Sequence, residues 1–387
     1  MKRLNFPPAA NAFPALLIAL ASSVMMTCTI AQAAEEPTLK LRSALSLVPE
    51  SVMTTADPMP VVFLDIGALS KAYDGALSAK ALGRMRFVQQ IRPLEALTTD
   101  GGKSWTDKAG VPFDEISYFT SFGSNETNIT YWGLANAVGA TKLLDTLKQK
   151  KFDAVSASPL ILANGKPGAI NLANRDPNNP WSGLMGRTSA VMALDSVVAQ
   201  ASAPELLTEL NKSKTSVETN KAVAVALSGL DSSISETNSH IIQAGVFTPL
   251  MGVPAADPAF LLDAKKSFAE LSADLEKQFT PGETGLPVYA GGIVADLDTG
   301  GSSTLAVSLA YGSCEDAEKA LSALQSRWEE GMATPASVTV KKVYAAQDGC
   351  AAVAHFTTNA GEPDAFTEVL TNYLQRGFNV LQIGLAP

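Results

Sequence analysis

The sequence predicts an α+β protein: two antiparallel-sheet units with helices packed on one face, joined by a helical middle segment. Three patterns carry this expectation. The C-terminal third reads hairpin, helix, hairpin, helix, strand. Ile116 to Lys150 repeats the strand-turn-strand-helix order with which that third begins. The stretch between them is dominated by helical periodicity. Hairpins pair antiparallel, and helices covering one face of such a sheet give a two-layer unit.

The elements follow in order. Residues 1–33 read as a secretory leader: Lys2 and Arg3, an apolar stretch beginning with Ala15–Ala21, then Ala31-Gln32-Ala33 with small residues at the cleavage site. An N-terminal α+β unit spans 34–202. Its first buried strand is Val61-Val62-Phe63-Leu64, and an interrupted helix runs from Ala68 to about Leu97. Thr98 to Gly110 reads as a loop. Ile116–Phe122 and Asn128–Leu134 form strands about a turn, and Val138–Lys150 is an amphipathic helix with Leu143, Leu144 and Leu147 on one face. Phe152–Leu162 is strand broken by Pro159, and Ser189–Leu194 is another strand.

A helical connecting segment spans 203–280. Pro204 suits a first helical turn, Val217–Leu230 carries an Ala/Val/Leu run, and Asp257-Pro258 opens a helix to about Phe279. The C-terminal ββαββαβ unit spans 281–387. Val288–Leu297 and Thr304–Tyr311 form one hairpin, and Glu315–Glu330 is a helix. Val338–Ala346 and Ala351–Phe356 form a second hairpin, Asp364–Arg376 a second helix, and Val380–Ile383 a last strand.

Composition narrows the function. Apolar residues make up 46% of the chain and charged residues 17%, enough to build a core and too few charges for wholesale disorder. Removing Lys2 and Arg3 with the leader leaves 27 basic against 38 acidic residues, a net charge of about −11. That balance disfavours nucleic acid and anionic membrane surfaces. No later apolar run reaches the roughly 20 residues of a membrane span before Asp195 or Pro249, Pro254 and Pro258 interrupt it.

Cysteine use follows from the leader. Cys28 lies within it, and Thr27 before Cys28 breaks the small-residue rule of a lipid-attachment site, so anchoring at Cys28 is not expected. Cys314 and Cys350 remain, and in an oxidising compartment two leftover cysteines pair. Closing a loop of this length adds roughly 3–4 kcal/mol on the chain-entropy account.

Catalytic templates fail. There is no Gly-x-Ser-x-Gly, no Ser-x-x-Lys, no phosphate-binding loop and no dinucleotide fingerprint. Two histidines, His240 and His355, exclude the His-Glu-x-x-His arrangement. His355, between Ala354 and Phe356, reads as structural, and His240 as a surface or helix-terminal residue. Asp296-Leu297-Asp298 has the acidic spacing of a calcium loop, yet Gly300 and Val307 stand where further ligands belong. No cofactor and no metal are expected.

The long loop Asn171–Trp181 is the candidate binding surface. Asn171, Asn174 and Asp176 offer directional hydrogen bonds and Trp181 a stacking face, a mixture suited to sugar or peptide. The expectation is an exported, soluble periplasmic protein, a non-enzymatic module that binds a small ligand or an envelope protein. The alternative is a periplasmic hydrolase with an unrecognised carboxylate- or serine-based site. N-terminal sequencing of protein purified from an exporting cell should begin at Ala34 or Glu35; an intact Met1 would refute export.

Overall fold

The computed structural model describes residues 38–387 except 124, 184, 211, 254–269, 271–272, 274–276, 278–284, 301–302, 360–362, 376–379 and 385–387. The leader with Cys28 and nearly all of the helix expected over Asp257–Phe279 lie outside the described residues. The strands that the sequence divides between two units form one sheet. It has twelve strands, every neighbouring pair antiparallel.

The N-terminal half starts with helix α1 (Leu39–Leu45) and strand β1 (Val61–Asp65). Asp65 caps helix α2 (Ile66–Tyr73) by accepting from Ala68 N–H. Short helices α3 (Ala79–Arg84), α4 (Leu97–Asp100) and α5 (Trp105–Ala109) follow, the last two where the sequence reads as loop. Strands β2 (Ile116–Phe122) and β3 (Ile129–Leu134) lead into helix α6 (Ala137–Gln149), then hairpins β4 (Asp153–Ala157) with β5 (Leu160–Ala163) and β6 (Ala190–Leu194) with β7 (Val197–Ala201). Helices α7 (Pro204–Leu210) and α8 (Lys221–Thr237) open the next half.

Strand β8 (His240–Phe247) lies inside the segment expected to be helical. Strands β9 (Gly292–Asp298) and β10 (Ser303–Tyr311), helix α9 (Cys314–Gly331), hairpin β11 (Ala336–Ala346) and β12 (Gly349–Thr358), and helix α10 (Ala365–Leu374) complete the chain. In place of the last strand, Ile383 makes an isolated parallel bridge to Leu286.

The two halves share one plan. Outward from β1 the sheet runs β2, β3, β7, β6, and outward from β8 it runs β9, β10, β12, β11, with β4–β5 extra in the first half. Even the helix starts correspond. Asn136 stands two residues past β3 and caps α6 at Gly139 N–H, and Ser313 stands two past β10 and caps α9 at Asp316 N–H. Strands β1 and β8 meet antiparallel, from Val61 opposite Val246 to Leu64 opposite Gln243, and join the halves.

Both faces of the sheet are covered, which corrects the expectation of helices on one face. One core holds Val62, Leu64, Phe119, Trp132 and Val294 with residues of α2, α6, α9 and α10; the other holds Val61, Phe63, Tyr131, Ile293 and Ala295 with residues of α1 and α8. Neighbouring strand residues alternate between the cores because side chains alternate across a strand. A strand covered twice has no polar face, and β1 is buried throughout.

Helix α8 explains the Ala/Val/Leu run. It lies on an alanine-rich surface, Ala295, Ala306, Ala310 and Ala351. A Cβ at Gly229 would sit 2.4 Å from Ala351 Cβ and 2.9 Å from Val353 Cγ2, so the close approach needs glycine. Ser308 Oγ donates to Ala226 O at 2.8 Å across the same contact.

Cys314 and Cys350 form a disulfide with Cα atoms 5.1 Å apart. The register brings them together: Cys350 stands opposite Tyr311, three residues before Cys314. Denatured but unreduced protein should therefore show no free Cys314 or Cys350 thiol in a thiol-titration assay. Two reactive thiols assigned to these residues would contradict the pairing.

Candidate functional site

The loop singled out by the sequence is built around its tryptophan. Trp181 is 2% exposed and stacks on Trp132 at 4.3 Å with planes 8° apart. Its Nε1–H donates to Ala109 O at 3.1 Å. Trp132 Nε1–H donates to Gln200 Oε1 at 2.9 Å, and Gln200 Nε2 donates to Pro180 O and Ser189 Oγ. The ring is thus an anchor between sheet and loop, stacked on Trp132, in edge-type contact with Phe152 and with its N–H engaged in the interior.

The loop's polar residues stand apart from it. Asp176 accepts from Asn178 N–H at 3.1 Å and pairs with Lys108 at 2.8 Å. Asn171 is exposed, with its N–H donated to Gly186 O, and Asn174 ends a short 3-10 turn. Trp181 is buried while Asn171 is exposed, so the ring does not stand on the surface that Asn171 presents.

Two buried polar clusters lie elsewhere. Arg84 grips Asp296 with Nε to Oδ2 at 2.9 Å and Nη2 to Oδ1 at 2.7 Å. Gln243 Nε2 donates to Asp296 Oδ2 and to Arg84 O, and Gln243 Oε1 accepts from Arg86 N–H. Every polar arm ends on another, so the cluster fastens α3 to β8 and β9. It also explains the acidic Asp296: the residue faces the core side of β9, paired with a cation 212 positions away.

The second cluster joins Ser233 on α8 to His355 on β12, Oγ to Nε2 at 3.0 Å. Ser233 Oγ also donates to Leu230 O at 2.9 Å, which leaves His355 to donate from Nε2. Ser233 and His355 are 0% and 1% exposed, sealed between helix and sheet. Burial pushes the imidazole down to about 4, with Glu236 pulling the other way. His240 is exposed at the start of β8.

The open cleft lies at the C-terminal end of the fold. Met251 follows β8, Met332 follows α9, Val369, Asn372 and Tyr373 come from α10, and Val380 and Leu381 from the segment after it. They line a shallow cleft open to solvent, with about 20 Å³ of enclosed space. Its walls are held separately. Ile383 N–H donates to Gly252 O, Leu286 N–H to Gln382 O, and Tyr289 Oη to Leu381 O, fixing the last segment. Glu368 accepts from Ala333 and Thr334 N–H, fixing α10.

One carboxylate stands behind the cleft. Tyr373 Oη donates to Asp57 Oδ1 at 3.2 Å, and Met59 N–H donates to the same oxygen at 3.0 Å. Burial raises the Asp57 carboxyl, against those two hydrogen bonds, and burial beside Asp57 raises the Tyr373 phenol. Asn372 Nδ2 contacts Met332 Sδ at 3.2 Å. Such a lining accepts an apolar group and offers a few polar contacts at its wall. Among the described residues no three His, Cys, Asp or Glu side chains gather as metal ligands would.

No local motif marks this cleft in the sequence, because Asp57 and Tyr373 are 316 positions apart. No family model, curated protein or solved structure matches this chain.

The buried histidine sets a pH dependence. Folded His355 stays neutral down to about 4 while an unfolded histidine protonates near 6.5, so between those values the unfolded state holds more protons. Stability therefore falls as pH drops from 6.5 through 4, by about 3 kcal/mol from this group. Denaturant melts of His355→Gln should lack that part of the acid loss. Identical pH slopes for the wild type and the variant would contradict it.

Proposed function

We propose that this is an exported protein of the cell envelope, released into the periplasm by cleavage near Ala33, which works by binding an apolar group of a partner or small ligand. The leader and the disulfide support export, and among the described residues no helix is long and apolar enough to cross a membrane. The observation that carries the binding reading is the cleft between Met251, Met332 and α10. It is aliphatic and thioether-lined, and its phenol is already committed to Asp57. Its enclosed space is about 20 Å³, little more than one water's worth, so it suits the tip of a single apolar side chain or acyl end resting in the open cleft.

A hydrolase remains the second reading because Ser233 and His355 are hydrogen-bonded at 3.0 Å. Binding fits better, since that pair is sealed under α8 and a substrate would have to displace the helix. The two readings separate with two probes. Titration with the dye 1-anilinonaphthalene-8-sulfonate should show a saturable fluorescence gain that Met332→Glu removes while cooperative unfolding is retained. A fluorophosphonate should leave Ser233 unlabelled. Dye binding unchanged by Met332→Glu would overturn the cleft as the binding site, and labelling at Ser233 would favour the hydrolase.

A further inference from the structure

We propose that the base of the 164–189 loop is a docking surface for an anionic phospholipid bilayer. A short antiparallel ladder forms there. Thr188 N–H donates to Ala169 O, Ile170 is bridged to Arg187, and Asn171 N–H donates to Gly186 O at 2.9 Å. Leu172, which starts a short 3-10 turn, and Met185 flank its end. Ile170, Leu172 and Met185 are 55%, 57% and 43% exposed, three large apolar residues within two positions of the Ile170–Arg187 bridge. Contiguous exposed apolar groups on a well-anchored segment mark an interaction site.

The segment is rigid enough to present them. Its backbone N–H groups at 169, 171, 179, 182, 183, 186, 187 and 188 are donated to backbone carbonyls, and Trp181 roots it in the core. With those backbone donors spent internally, the ladder presents mainly its exposed apolar side chains and charge, with the Asn171 amide beside them. That favours lipid.

Charge favours an anionic lipid. Lys166 and Arg175 are exposed, Arg187 is half-buried, and the Arg175 Cα lies against Gly186 in the ladder. Two carboxylates nearby are engaged: Asp176 pairs with Lys108, and Glu95 lies beside Arg92 and Arg187. The loop is therefore locally cationic on a chain of net charge −9. At physiological salt the Debye length is about 8 Å, so charges elsewhere on the chain are screened and the local cations govern contact.

The docking surface is separate from the apolar cleft, and its test does not depend on it. Purified protein is floated with vesicles of phosphatidylglycerol and phosphatidylethanolamine in equal parts, or of phosphatidylcholine alone. We expect binding to the anionic vesicles only. Lys166→Glu with Arg175→Glu should lower the partition by about tenfold or more, since each basic residue near such a surface adds about 1 kcal/mol. Ile170→Ser with Leu172→Ser and Met185→Ser should also release the protein, with its tryptophan fluorescence showing that Trp181 is still packed. Equal binding to both lipids, no binding to either, or retention of both variants would overturn the proposal.

Discussion

The pairing of β1 with β8 is the contact on which the rest of the sheet depends. It joins two halves that each build outward from one of these strands. Both strands are apolar almost throughout, and antiparallel pairing sets them so that each residue finds a partner of the same orientation across the junction. A one-residue slip would send every side chain to the wrong core. Val61 and Phe63 serve one core, and Val62 and Leu64 the other, so the register of this pair fixes the register of two hydrophobic interiors at once.

The polar groups of the interior reinforce that junction. Gln243 is the residue of β8 opposite Leu64, and through it Asp296 on β9 and Arg84 beyond α2 are tied to the centre. Removing one member of such a buried charge pair leaves the other uncompensated, at a cost of about 3–5 kcal/mol. Arg84 reaches Asp296 only if α2 and α3 fold back over the sheet, so the ion pair acts as a latch on their placement.

What could be read from the sequence follows the range of the interactions. The hairpins and helices after Gly292 were legible because turn residues and periodicity act within a dozen positions. Strand β8 was not: His240–Phe247 is a short apolar run, and such a run looks alike in a buried strand and a buried helix. Helices on both faces had a signal in Val61-Val62-Phe63-Leu64, whose lack of alternation is what double coverage produces. Trp181 read as a stacking face because its chemistry suits one, and only the fold shows Trp132 already occupying it. The apolar cleft joins residues from three distant stretches, around 251, 332 and 369–381, and proximity of that kind leaves no local spacing to recognise.

The disulfide has a mechanical consequence. Cys314 opens α9 and Cys350 lies on β12, so the covalent loop between them encloses α9 and the edge strand β11. A pull applied at the two ends of the chain passes through the sulfur bridge and around that loop. The chain between the cysteines, a sequence separation of 36 and roughly 120 Å when extended, is then hidden from the load. The outermost hairpin can lose its hydrogen bonds under tension, yet its enclosed strand cannot be drawn out while the bridge is intact.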